Sequence, residues 1–175
     1  MTLRSVRTVT DTDSGVWGDA TATFSLDRIH RYSLTRVWDS RLPLVNFLML
    51  NPSTADAFTL DPTNRRCVGF ARSWGFGGLV TTNIFALRST DPKGLRAAAD
   101  PVGTENDQAI LDAARSAGLV VVAWGTHGQL FGRGEQVATM LVESGVEMHA
   151  LRLTKDGHPG HPLYVSADSE PVGWP

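Results

Sequence analysis

The chain has 175 residues, of which 42% are hydrophobic and 19% charged, with a formal net charge of −2 and a pI near 6.2. These values are ordinary for a globular protein and exclude a broadly basic, nucleic-acid-coating surface, leaving room only for a local basic groove. The single cysteine, Cys67, excludes an intrachain disulfide and any Cys-rich metal or iron–sulfur site.

A chain this long buries roughly 70% of the surface its unfolded form exposes, so one α/β domain over residues 1–175 is expected to need no staple. Met1–Arg7 leads into polar residues without an apolar signal core, and no apolar run is long enough to span a bilayer. A cytoplasmic protein with no membrane contact is the expectation, and no protein partner is readable.

Residues 1–18 are expected to be partly mobile. Residues 19–42 read as an antiparallel hairpin. Ala20, Ala22, Phe24 and Leu26 alternate with polar neighbours at the strand period, and Tyr32–Trp38 is β-propensive. From residue 43 onward strands alternate with helices, which predicts parallel strands joined by crossovers.

The expected strands are Leu44–Leu50, Leu79–Phe85, Leu119–Trp124 and Glu147–Leu153. Asp61-Pro62 predicts a helix start, with Cys67, Phe70, Ala71 and Trp74 as its buried stripe and Gly75 as its end. Asp91-Pro92 predicts a short segment through Ala99. Thr104 is read as the cap of a helix whose inner face is Ile110, Ala113, Ala114 and Ala117. A last helix is expected from about Gly134 to Ser144, with Val137, Met140 and Leu141 inward. The predicted architecture is a three-layer α/β/α fold with a mainly parallel central sheet and an N-terminal antiparallel hairpin.

Polar clusters follow each core strand, and parallel strands would bring them to one carboxyl edge, where open α/β sheets bind ligands. After the first come Asn51, Pro52, Ser53, Thr54 and Asp56, with Phe58 near by. The Asn51 amide can orient a water or grip an amide-like ligand edge; an ordinary Asn-Pro turn is the alternative. Asn83 lies inside a strand, where asparagine is disfavoured, so it serves either a buried network or ligand reading. Arg88 beyond it is more simply solvated than bound to phosphate.

Trp124 can stack on a planar ligand or simply pack. Gly125, Thr126, His127 and Gly128 form a turn that lacks the spacing of a P-loop or a dinucleotide fingerprint. Lys155, Asp156, His158 and His161 share the last cluster. Imidazole there suits stabilising developing negative charge or moving a proton; a rigid loop is the competing reading, and metal ligation is disfavoured by the intervening prolines.

Leu50-Asn51-Pro52-Ser53-Thr54-Ala55-Asp56, Asp61-Pro62-Thr63, Asn83-Ile84-Phe85-Ala86-Leu87-Arg88, Ala99-Asp100-Pro101-Val102-Gly103, Ala123-Trp124-Gly125 and Thr154-Lys155-Asp156-Gly157-His158-Pro159 resemble the bacterial domain-of-unknown-function 1643 family, from about Tyr32 to the C terminus. That name implies no activity. The order of these motifs is also remotely similar to the uracil-DNA glycosylase superfamily. That second resemblance implies a water-positioning role for Asn51-Pro52 and a base-reading role for Asn83. It further implies a leaving-base role for His158-Pro159 or for His161-Pro162-Leu163.

The leading expectation is a metal-independent, cofactor-free, nucleobase-recognising hydrolase of the N-glycosylase type. Its catalytic candidates are Asn51, His158 and His161, and its ligand would be a nucleotide or a base in single-stranded or flipped-out DNA. A non-catalytic nucleotide or modified-base binding module is one alternative. A metal-dependent phosphoesterase using His158, His161 and Asp156 is the other.

Overall fold

The computed structural model describes residues 7–53 and 59–175. Eight strands form one sheet: β1 Thr8–Gly15, β2 Gly18–Ser25, β3 Arg31–Val37, β4 Leu44–Met49, β5 Gly78–Asn83, β6 Leu119–Val122, β7 Met148–Ala150 and β8 Val172–Trp174. Four α-helices accompany them, α1 Pro62–Ser73, α2 Pro92–Ala97, α3 Asn106–Ser116 and α4 Arg133–Glu143. The strand order is β1-β2-β3-β5-β4-β6-β7-β8.

The sheet is mixed, which corrects the expectation of a mainly parallel one. Its centre, β5-β4-β6-β7, is joined by three parallel pairings. Antiparallel pairings flank it: β1–β2, β2–β3 and β3–β5 on one side, β7–β8 on the other. Four of the seven pairings are therefore antiparallel. The β2–β3 hairpin matches the sequence reading, and residues 8–15 add a strand that pairs with β2. All four core strands end one to three residues earlier than their apolar runs suggested.

Alternate residues of β4 face different partners, as the two-residue period of a strand requires. Val45, Phe47 and Met49 pack with Cys67, Val68, Phe70 and Ala71 of α1. Leu48, with Val120 and Val122 of β6, packs with Ile110 and Ala114 of α3 and Val137 and Leu141 of α4. Each fully buried Phe or Leu contributes about 1.5–3 kcal/mol from area removed from water. Helix α1 starts as its sequence dictates: the Asp61 carboxylate accepts the Asn64 N–H at 2.7 Å and Pro62 occupies the first turn. Helix α3 departs from expectation. Its cap is Glu105, not Thr104, and the Glu105 side chain makes no capping hydrogen bond. Among the described residues, no helix is long and apolar enough to cross a membrane.

Candidate functional site

The carboxyl ends of β4, β5, β6 and β7 open onto a cavity of about 650 Å³. Asn51, Pro52 and Ser53 enter it from the end of β4, Asn83 from β5, and Trp124, Gly125, Thr126 and His127 from β6. His161 closes it from the segment after β7. These nine predicted residues are brought together.

Other candidates stand elsewhere. His158 lines a neighbouring cavity of about 780 Å³ that shares only the Trp124 wall with the first. Lys155 and Asp156 are exposed in the turn closed by Thr154 N–H donating to His158 O at 2.7 Å. The Arg88 guanidinium lies over the Phe24 ring and donates to Arg28 O, away from the cavity. Thr54, Asp56 and Phe58 lie outside the described residues.

The Asn51 amide has a fixed orientation. Its Nδ2 donates to Ser89 O at 2.8 Å and to Pro52 O at 3.0 Å. Two carbonyl acceptors can face only the NH₂ end, which leaves the Oδ1 end as the acceptor for anything else. Ser89 N–H in turn donates to Pro52 O, tying the loop after β4 to the segment after β5. These contacts preset the Asn51 side chain.

Asn83 occupies the last position of β5 at 2% exposure, and its Nδ2 has no hydrogen-bond partner among the described residues. An unmade hydrogen bond on a buried amide costs about 1–3 kcal/mol, so the group is held there against its own desolvation. Holding it is the work of buried neighbours. Asn106 Nδ2 donates to Asn83 O and Ile84 O at 2.9 and 3.2 Å, and Arg133 Nε donates to Ile84 O at 2.8 Å.

His161 is a neutral imidazole with its proton on Nε2. Its Nδ1 accepts the Leu163 N–H at 3.2 Å, which requires a lone pair on that nitrogen. Burial holds its pKa below the usual 6.5, and the attraction of Asp61 opposes this without cancelling it. His158 differs: Gln129 Nε2 sits 2.5 Å from its Nε2. Of the two histidines left open by sequence, only His161 lines this cavity.

Gly125 has φ of 70°, a conformation that favours glycine, and its N–H donates to Pro159 O at 2.7 Å. This contact and Gly160 N–H donating to Arg152 O at 2.7 Å fold the segment after β7 back over the edge. Trp124 is held edge-on to Trp174, ring centres 5.5 Å apart, with Gly128 and Gly134 against its indole.

Sequence reasoning missed three charged wall residues. Arg31 begins β3, and because β3 runs antiparallel to β5, its start lies at the edge where β5 ends. Arg31 is only 2% exposed; burial brings its pKa down to about 10, with Asp61 opposing that shift, and it stays cationic at neutral pH. Arg152 follows β7, and Asp61, read only as a helix cap, also lines the cavity. Among the described residues no group of three His, Cys, Asp or Glu side chains is placed to hold a metal ion.

No curated protein and no solved structure matches the chain. Residues 31–163 match the family model described as protein of unknown function (DUF1643), and the chain belongs to that family.

Proposed function

We propose that the cavity binds a nucleobase and that the protein is a hydrolase of the N-glycosylase type, acting on a base in a nucleotide or in nucleic acid. The observation that carries this reading is Asn83, a buried amide with an unused donor at the cavity wall. An amide offers a donor and an acceptor side by side, the pattern that matches the amide-like edge of a base. The helices on both faces of the parallel centre, and the order of the strand-end motifs, support the likeness to the uracil-DNA glycosylase fold.

Asn51 Oδ1 accepts a hydrogen bond from a water and aims its oxygen at the sugar carbon. The C–N bond breaks, the electron pair leaves with the base, and His161 Nε2–H donates to the base as negative charge develops there. The proton released by the water ends on the base, so the products are the free base and the hydroxylated sugar.

Chromatography of free base tests this, using nucleoside monophosphates and a uracil-containing single strand with folded protein. Base release by the wild type is expected. Asn83→Leu should keep or raise thermal stability, because it removes an unsatisfied buried donor at similar volume, yet abolish binding and release. Unchanged ligand affinity in that variant would remove Asn83 as the base reader. Base-dependent binding without release from any substrate would leave a binding module instead of an enzyme.

A further inference from the structure

The face built by α4, β7 and β8 carries a groove that the nucleobase reading does not use. Three depressions of about 780, 500 and 440 Å³ run into one another along α4. The first and second share Gly132, Glu135, Thr139 and Glu143, and the first and third share Val142, Met148 and Trp174. Val142 is 61% exposed there, Trp174 is half-buried and Met148 is buried.

Apart from His149 and His158, every ionisable side chain lining the groove is a carboxylate: Asp107, Glu135, Glu143 and Glu147. Among the described residues no lysine or arginine lines it. Asp107 is paired with Arg133, but Glu135, Glu143 and Glu147 are exposed and form no ion pair among the described residues. Helix α4 offers them no cation, since Arg133, the only one it has, is buried. Glu143 also sits in the last turn of α4, at the negative end of the helix dipole, where a carboxylate is unfavourable. Folding gains nothing from these charges, and a cationic partner would relieve their opposition.

We propose that this groove docks a basic segment of a partner protein, with Lys or Arg side chains against Glu135 and Glu143 and an apolar side chain between them over Val142 and Trp174. The shape favours a chain segment. Helix α4, with 11 residues at about 1.5 Å each, makes the groove about 16 Å long. An extended segment covers that length with about five residues. A small molecule is instead enclosed by one compact cavity. Carboxylates along such a groove select cationic partners and speed their approach, and the apolar anchor supplies affinity. The surface stands apart from the first cavity, with which it shares only the Trp124 wall.

Selection from a random display library of peptides about ten residues long, on the full chain with counter-selection on Val142→Arg, tests this. Val142 is exposed, so the substitution should leave the fold intact, which thermal denaturation checks, while it fills the groove with bulk and positive charge. Enriched peptides should carry several Lys or Arg flanking an aliphatic or aromatic residue. By tryptophan fluorescence they should bind the wild type about fivefold or more tighter than Glu135→Gln/Glu143→Gln, and more weakly in added salt. Affinity should be unchanged in Glu170→Gln, which alters an exposed carboxylate outside the groove. No enrichment over Val142→Arg, enrichment of uncharged or acidic peptides, or equal affinity in the double Gln variant overturns the proposal. Benzylammonium binding as tightly as the peptides would mark a pocket for small cations and overturns it as well. None of these outcomes bears on the nucleobase reading, which rests on Asn83 in the other cavity.

Discussion

Replacing Asn51 by Ala separates a structural asparagine from a chemical one. The change deletes two hydrogen bonds, to Ser89 O at 2.8 Å and Pro52 O at 3.0 Å. At about 0.5–1.5 kcal/mol each, the loss is about 1–3 kcal/mol, which for a domain of this size lowers Tm by about 3–9 °C. Against a typical stability of about 5–15 kcal/mol the protein stays almost wholly folded at 25 °C. A fall in turnover cannot then be an unfolding effect. If Oδ1 orients the attacking water, base release per folded molecule should drop by about 10²–10³, the usual cost of one preorganised polar contact in the transition state, with ligand affinity little changed. Asn51→Asp sharpens the test. It restores an oxygen toward the water but sets a carboxylate against two carbonyl oxygens, so it should be less stable than Asn51→Ala at neutral pH. Thermal denaturation and base release measured on the same samples decide the matter. Wild-type turnover in folded Asn51→Ala, or Asn51→Asp as stable as wild type, would refute the reasoning.

His161 should make stability pH-dependent with a defined sign. Its folded pKa lies below the usual 6.5, so its neutral form contributes stability that is fully present above 6.5 and lost as the pH falls through the folded value. Urea midpoints at pH 7.5 and in mild acid should therefore differ less in His161→Gln than in wild type, and an NMR titration of His161 above 6.5 would contradict this. Glycine replacements should differ in sign. A Cβ on Gly128 would sit 2.1 Å from Trp124 Cδ1, so Gly128→Ala should cost about 1–3 kcal/mol and alter tryptophan fluorescence, whereas Gly69→Ala, in open space on the exposed face of α1, should stabilise by about 0.5–1 kcal/mol. Equal effects in thermal denaturation would mean that Trp124 has room to move.

How much was legible in the sequence depended on how local its cause was. Helix α1 was readable because Asp61-Pro62 and the Cys67, Phe70, Ala71 stripe act within a few turns. Strand β8, three residues long, owes its existence to pairing with β7 and carries no pattern of its own. Of the antiparallel pairings that make the sheet mixed, β2–β3 was readable as a hairpin, whereas β1–β2, β3–β5 and β7–β8 were not: direction there is set by which neighbour a strand meets, not by its composition. In the site, Asn51, Asn83 and Gly125 stood out because they interrupt or end apolar runs. Arg31 did not, since its position beside them follows only from the β3–β5 register; an arginine opening an otherwise alternating strand was the available signal. Which of His158 and His161 lines the cavity depends on how the segment after β7 folds back, which no spacing encodes.

Strand β1 ends the sheet, paired along its whole length to β2 and to no other strand among the described residues. A terminal strand of eight residues offers its outer backbone groups to any extended chain that drifts past. The Thr-Asp-Thr-Asp run that disguised it as a polar lead-in also guards it. Asp11 is paired with Arg28, but a second copy laid alongside in register would bring Asp13 toward its own counterpart, and like charges facing across a ladder are repulsive. The segment least recognisable as a strand is thus the one whose charge makes the sheet's open edge a poor template for another chain.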